Sequence, residues 1–466
     1  MQQLSDQDFQ RLHDATMSVL KKTGVIFHAP EAVAVFRRHG FKTCGKTVFF
    51  EEAQVLRTLA TTPADFCLIA RNPEKNLYIS TTTNALAPGY GAPFILKSDG
   101  KRLPATLADY QIFCKLIQTS KVLDSNGFMM VEPSDLPPNT AHLEMLLAGI
   151  SLCDKPFMGS PLSRRAAMDA LEMAKIVWGK IPGPVMMSNI NSMAPLQFAG
   201  EMAEALMEFA GGGQPVIITG GGILGSTCPI TIPGLLVVQN AVVLAGITLA
   251  QLVQPGAPVI YGVAGSPMDM QTGAYYVGGP EFSQAVSAGV QMAHRYNLPC
   301  RGGGALTAAF RPDFQAGMEA AISLFTGITA GANFVLHACG ILGTYIAMSY
   351  EKFLMDEVLV EHLRKVASAL SVTDESIDLA TIQEVGAGGM YLTHAKTLDQ
   401  CRTAFFRSKL IKHEVYDRWL AAGGKSLDRI ATELVSKRLE TYSQPDMDPG
   451  VKADLSRYVA LKKERP

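Results

Sequence analysis

Between Phe209 and Met268 the chain carries no Asp, Glu, Lys or Arg, although 18% of the whole sequence is charged. A stretch of this kind belongs in an interior, either of a membrane or of a large soluble fold. Its central part, residues 232–253, is apolar and long enough to cross a bilayer, which takes about 20 residues. It also holds Pro233, Gln239, Asn240 and Gln251. Short strand-like runs flank it, at 215–219 and 258–262, each ending in Gly or small polar residues. Strand, buried helix, strand is the pattern of a βαβ unit in a parallel sheet, so no membrane span is expected.

The same alternation continues on both sides. Strand candidates fall at 126–131, 156–159, 185–189, 216–219, 259–262, 299–302 and 333–337. Helical patterns lie between them. Seven such units, with an eighth near 89–96 or 389–393, predict an α/β fold of the (β/α)8 TIM barrel type. An open doubly wound sheet is the alternative. Ahead of the barrel, Ser5 with Asp6 and Asp8 predicts a helix start, Phe9, Leu12, Ala15 and Val19 an apolar face, and Gly24 a stop. Residues 1–83 read as an N-terminal α+β cap, 84–398 as the barrel, and 399–466, charged and helical, as a C-terminal extension. That extension is expected to cover the barrel or a neighbouring subunit, and a homo-oligomer is expected.

Composition narrows the class. The hydrophobic share is 48% and the formal net charge is −1, so nothing suggests a nucleic-acid partner. No basic region followed by an apolar run opens the chain, and the eight cysteines form no Cys-x-x-Cys pair. Both points fit a cytoplasmic protein with free thiols.

The candidate motifs differ in specificity. Gly220, Gly222 and Gly225 match G-x-G-x-x-G after a strand, but no acidic residue follows before Asp269 to hold a ribose. These glycines read better as a tight turn at a barrel mouth. His337 and Cys339, two apart at a strand end, should share a side, with Cys300 ending another strand. Zinc needs three or four converging ligands, so no metal site is expected. Polar residues at strand ends form a more suggestive set: Asn189, Asn191, Glu281, Arg301, Arg311 and His337. Around them fall Tyr90, Phe94, Tyr261, Tyr275, Tyr276, Phe310 and Tyr345. Together they fit a cavity for a cation that cannot hydrogen-bond, since aromatic faces attract quaternary ammonium groups.

Several longer segments are specific and in register. They are Pro88–Pro93, Pro215–Thr231 with its Gly225–Pro229 turn, Asn240–Ala241, Leu244–Gly246, Gln254–Pro258 and Tyr261. Asp269–Gly273, Gly279–Glu281, Leu298–Arg301, Asp313–Gly317 and Ser349–Phe353 follow. Over nearly its full length the chain thereby resembles the trimethylamine methyltransferase family. The resemblance implies transfer of a methyl group from an amine to the cobalt of a corrinoid (cobalamin) carried by a separate, cognate corrinoid protein, within methylamine metabolism and methanogenesis. Archaeal trimethylamine enzymes of the family contain pyrrolysine, where this chain has Cys339–Gly343, all standard residues. It therefore resembles the branch without pyrrolysine, whose members demethylate glycine betaine, proline betaine or carnitine.

Glycine betaine is the leading expectation, with a non-catalytic betaine- or corrinoid-protein-binding barrel as the reading from another class. Tyr90, Phe94, Tyr276, Phe310 and Tyr345 are expected around the trimethylammonium group. Arg301 or Arg311 should meet a substrate carboxylate, with His337 or Asn189 as donors. Asn191 and Glu281 are expected to face the corrinoid. No cofactor or metal of the chain's own is expected.

Overall fold

The computed structural model describes residues 4–97, 99–408 and 410–464. Seven parallel strands form one sheet: β1 (Ala85–Leu86), β2 (Phe157–Met158), β3 (Met186–Asn191), β4 (Val216–Gly220), β5 (Val259–Val263), β6 (Cys300–Arg301) and β7 (Phe334–Val335). β7 pairs with β1 in register Phe334↔Ala85 and Val335↔Leu86. The ring closes through residues 124–126. Asp124 N–H donates to Leu86 O at 2.9 Å and Asn126 N–H to Pro156 O at 2.7 Å, so this segment acts as a stave between β1 and β2.

A helix follows each of the eight staves: α1 (Leu107–Thr119), α2 (Ala141–Leu152), α3 (Arg164–Trp178), α4 (Gly200–Gly211), α5 (Ile232–Val253), α6 (Pro280–Arg295), α7 (Phe314–Ala330) and α8 (Tyr350–Ala367). The chain is a closed (β/α)8 barrel, which removes the open-sheet alternative. The stave not located by sequence is Ala85–Leu86, just before the 89–96 region. Phe94–Leu96 instead joins a small side sheet, and Tyr391–Thr393 is a 3-10 turn outside the barrel. Ala85–Leu86 stands between the polar run Thr81–Asn84 and Pro88, with no apolar run to mark it.

The burial of α5 has a direct cause. One side packs on the barrel, and the other is covered by the N-terminal helices Asp6–Lys22, Pro30–Arg38 and Glu52–Leu59. Its polar residues, out of place in hydrocarbon, bond to protein, although Gln239 does so through Oε1 alone and its Nε2 is buried without a partner. Asn240 Nδ2 donates to Thr16 Oγ1 at 3.1 Å and to the Tyr296 hydroxyl at 3.0 Å. Its Oδ1 accepts from the Tyr261 hydroxyl at 3.0 Å. Gln251 bonds to Ala257 O and accepts from Gly256 N–H and the Thr61 hydroxyl. Tyr261, expected near the cavity, therefore points outward to α5.

The C-terminal segment covers the opposite flank. Helix Leu427–Glu440 lies on α8 and α1, where Arg438 pairs with Glu357 and donates to Leu116 O. Helix Pro449–Glu464 lies on α2 and α3, and the Tyr458 hydroxyl donates to Asp169 at 2.7 Å. His142 holds the same buried carboxylate at 2.9 Å. The two terminal segments thus press the barrel helices inward from opposite sides.

Asn240 joins the N-terminal cap, α5 and β5 in one buried network. Asn240→Ala leaves the Tyr261 hydroxyl without its acceptor and removes two donors. A buried polar group left unsatisfied costs about 1–3 kcal/mol. Chemical denaturation should show a loss of that order, with the substrate pocket's affinity unchanged.

Candidate active site

The site lies at the C-terminal ends of the strands, where barrel enzymes place their chemistry. Arg301 ends β6 and is 5% exposed. In the β5–β6 register it stands opposite Gly262, which faces the barrel interior. A Cβ at Gly262 would come within 2.6 Å of Thr219 Oγ1, so only glycine leaves that space open. Arg301 Nη1 donates to Val263 O at 3.0 Å, while its Nε is buried without a partner. Among the described residues no carboxylate forms an ion pair with it.

Three phenols and an imidazole feel this guanidinium: Tyr90, Tyr275, Tyr345 and His337. Burial raises all three phenols, Tyr345 to about 12, so each stays protonated at neutral pH. Burial, with Arg301 adding to it, pulls His337 well below its ordinary value. His337 Nδ1 accepts the Tyr90 N–H at 3.2 Å, which leaves Nε2 as the protonated nitrogen of the neutral ring. The result is one fixed cation among neutral hydrogen-bond donors. The buried Tyr90 hydroxyl has no partner. It also feels the Glu132 carboxylate, whose own pKa is raised by burial.

Loop geometry aims these groups. The loop after β1 carries Tyr90, and the loop after β7 carries His337 and Tyr345. They are stitched by a side sheet in which Ala347–Met348 pairs with Phe94–Leu96 and with Ile341–Leu342. The hairpin tip holds Gly343, Thr344 and Tyr345 at φ of 59°, 54° and 70°. Positive φ is uncommon for a bulky residue and concentrates at functional positions. The Tyr345 ring then lies 4.8 Å from the His337 ring, centroid to centroid.

The structure gathers some of the expected residues and separates others. Arg301, Tyr90, His337 and Tyr345 stand together. Asn189 lies buried in β3 and binds the Thr219 hydroxyl at 2.7 Å and Asn191 at 3.1 Å. Asn191 is exposed at the strand's end, and Glu281 opens α6 with a buried carboxylate oxygen unpartnered.

Phe94 is not in the cluster: its strand turns it toward Leu96, Ala309, Leu342 and Ala347, under the Arg102 guanidinium at 4.5 Å. Phe310 is 61% exposed, against Gly343, and Arg311 is exposed beside Gly100. Both sit on a loop that has already left the barrel mouth. Tyr276 sits against Gly279 with Glu281 and Asp269 nearby, while its neighbour Tyr275 turns inward. Tyr276 was the ring expected in the site, and the structure puts Tyr275 near Arg301 instead, because a turn rather than a strand sets the facing there. Glu132 was missed altogether, because it stands on a loop without periodic pattern.

His337 and Cys339 do not share a side. His337 has φ 66°, which breaks strand alternation, and the charges around Cys339 are Glu357, Asp356, Lys352 and Arg438. Cys300 lies outside the mouth cluster's polar face, its thiol toward its neighbour's carbonyl. Among the described residues no three His, Cys, Asp or Glu side chains come together as a metal site.

A closed barrel with a buried guanidinium and neutral aromatic donors gathered at its strand ends has the form of a (β/α)8 barrel enzyme. The chain belongs to the trimethylamine methyltransferase (MTTB) family, which matches residues 1–465, and it is a methyltransferase. It is 39% identical to a glycine betaine methyltransferase of Desulfitobacterium hafniense (strain Y51), over 98% of this chain and 96% of that one. A proline betaine:corrinoid methyltransferase of Eubacterium limosum is 29% identical, over 98% and 96%. A trimethylamine methyltransferase, MttB, of Desulfitobacterium hafniense (strain DSM 10664 / DCB-2) is 30% identical, over 98% and 92%. Among solved structures, the monomethylamine methyltransferase MtmB of Methanosarcina barkeri superposes with a TM-score of 0.54, over 95% of this chain and 89% of that one. At 10% identity that likeness shows the shared barrel fold.

The tautomer assignment is testable. With 15N-labelled histidine, His337 should report a neutral Nε2–H ring throughout pH 5.5–8. The unfolded imidazole charges near 6.5 while the folded one does not, so its contribution to stability is lost as pH falls below about 6.5. A titration near that value would reverse the assignment.

Proposed function

We propose that the enzyme moves a methyl group from a small carboxylated quaternary amine, glycine betaine first, to the Co(I) of a corrinoid held by a partner protein. The observation that carries this reading is Arg301, a buried guanidinium with no carboxylate partner among the described residues. A buried unpaired charge is costly, and a substrate carboxylate removes that cost. The relatives named for glycine betaine and proline betaine support the same substrate class.

The roles follow from the chemistry of each group. The carboxylate binds Arg301, with His337 Nε2–H and the phenol hydroxyls as further donors. That anchors the anion at the floor and leaves the ammonium end toward the mouth. The Tyr90, Tyr275 and Tyr345 faces accept the methyl groups, and the Glu132 carboxylate near Tyr90 complements the positive nitrogen. Bound corrinoid supplies the nucleophile. This chain supplies alignment of the C–N bond and exclusion of water. No proton transfer is needed, since a neutral tertiary amine departs. Asn191 and Glu281, on the rim, are the contacts we assign to the corrinoid side.

The test follows loss of the cob(I)alamin band with a panel of amines. Glycine betaine or a close relative is expected to react, and trimethylamine hardly at all. Trimethylammonium has no carboxylate for Arg301 to hold, and meets that guanidinium as a like charge. Arg301→Gln removes a charge-assisted bond worth about 1.5–3 kcal/mol, so kcat/KM should fall roughly 10- to 150-fold. Equal turnover of trimethylamine and the betaines would refute the reading.

The reading includes a second copy of the chain. α7 presents Phe314, Met318, Ile322 and Phe325 to solvent on one helical stripe, and neither terminal segment covers it. Residues 366–420 expose a further apolar series, among them Leu370 (88%), Leu392, Phe405 and Tyr416. Exposed patches of this size mark association surfaces. Light scattering should give a multiple of the 50.1 kDa chain mass, and Ile322→Glu should shift it toward the monomer.

A further inference from the structure

The Ser349–Phe353 segment opens α8, and nothing in the pocket uses its lysine. Lys352 and Asp356, one turn apart, form a salt bridge with side chains 2% and 3% exposed. Each then reaches a different active-site loop. Lys352 Nζ lies 3.4 Å from Ala305 O, in the loop that follows Arg301. Asp356 Oδ2 accepts the Gly340 N–H at 2.8 Å, in the loop that follows His337. The two loops are joined directly as well, since Ala305 N–H donates to His337 O at 2.9 Å. Ser349 N–H donates to Gly340 O at 3.0 Å, and Gly89 N–H to Cys339 O at 2.9 Å, which brings in the loop of Tyr90. Gly340 has φ 97°, and a Cβ there would meet the Met348 side chain at 2.7 Å.

Resting on the reading above, we propose that the Lys352–Asp356 pair is a positioning element, which clasps the loops of Arg301 and His337 in one register and so sets where the substrate carboxylate is held. Two observations argue against a purely stabilising role. A buried ion pair is weak evidence for stability, since apolar replacements of similar volume are often neutral or better. Burial also outweighs the lysine and the Gly340 bond, and pushes Asp356 up to about 6. The folded protein therefore holds that proton more tightly than the unfolded chain. Stability on this account is greatest below about pH 3.8 and is lost as pH rises through about 6. At neutral pH the charged pair is kept at a cost to folding, while two loops depend on its geometry. Cys339, Glu357 and Arg438 are the other ionisable groups acting on Asp356 or on its neighbour in that loop.

The experiment compares wild type, the apolar double variant Lys352→Met with Asp356→Leu, and the milder Asp356→Asn, which keeps an acceptor for Gly340. Each is assayed for glycine betaine kinetics with cob(I)alamin and for the His337 ring signals without substrate. The double variant should fold with a melting temperature close to wild type. Its kcat/KM should fall about ten- to a hundredfold, as misplacement by an ångström costs in other enzymes. The His337 signals should shift, and Asp356→Asn should fall between the two. If the double variant does not fold, Asp356→Asn alone decides, by its His337 shift and its kinetics. Wild-type kinetics with unmoved His337 signals in a folded variant overturn the clasp. A wild type that turns over no betaine overturns the functional reading instead, and the His337 signals then still decide the clasp.

Discussion

A guanidinium sealed inside a protein must meet negative charge or leave its desolvation uncompensated. Arg301 is sealed and ends a barrel strand, and the groups acting on it among the described residues are the Val263 carbonyl, three phenols, the Cys300 thiol and an imidazole. The phenols and the imidazole that act on it are neutral at working pH for a physical reason. Burial holds the protons on Tyr90, Tyr275 and Tyr345, and burial with Arg301's own field keeps His337 uncharged. The mouth therefore carries a fixed positive point with donors beside it. In the function we propose, the anionic end of the substrate meets that charge where three loops converge.

Those loops can converge only because backbone comes very close to backbone. Gly304, at φ 132°, would place a Cβ 2.7 Å from Leu336 O, and a Cβ at Gly89 would strike Met348. Glycine at these positions is what lets the loops after β1, β6 and β7 touch. The side sheet then locks the first loop to the last, and α8 reaches into both later loops from behind. Below this, the two terminal segments clamp opposite flanks of the barrel, so the strand ends have a rigid base.

Much of the barrel was legible in the sequence, because β4 and β5 open as apolar runs separated by a long helical period, and strand-like segments recur at similar spacing on either side. β1 was not, since Ala85–Leu86 stands between the polar run Thr81–Asn84 and Pro88 with no apolar run to mark it. The site was legible by type more than by direction. Arg301 and His337 could be picked as polar residues at strand ends. Tyr276 was expected where Tyr275 stands, because a turn, not a strand, decides which ring points inward. Arg311 and Phe310 follow a strand end at a distance where a loop has already turned outward. His337 and Cys339 were expected on one side by strand alternation, and a single left-handed residue undid that rule. Sequence pattern reports regular backbone; where the backbone is irregular, facing has to be seen.

The order of charges in the pocket also fixes a direction for the chemistry. In a betaine the carboxylate and the quaternary nitrogen are at opposite ends of a short chain. With the anion drawn to Arg301, which ends a central barrel strand, the nitrogen must sit further out, among the aromatic faces and toward Glu132. Its methyl groups then face the mouth, the side from which a cobalt on another protein can approach. An amine without the carboxylate has no such anchor and meets Arg301 as a like charge. In the function we propose, the same arginine attracts the right substrate, repels the wrong one and aims the group to be transferred. A pocket of the kind proposed needs no covalent handle on the amine, and the residues at Cys339–Gly343 are ordinary ones.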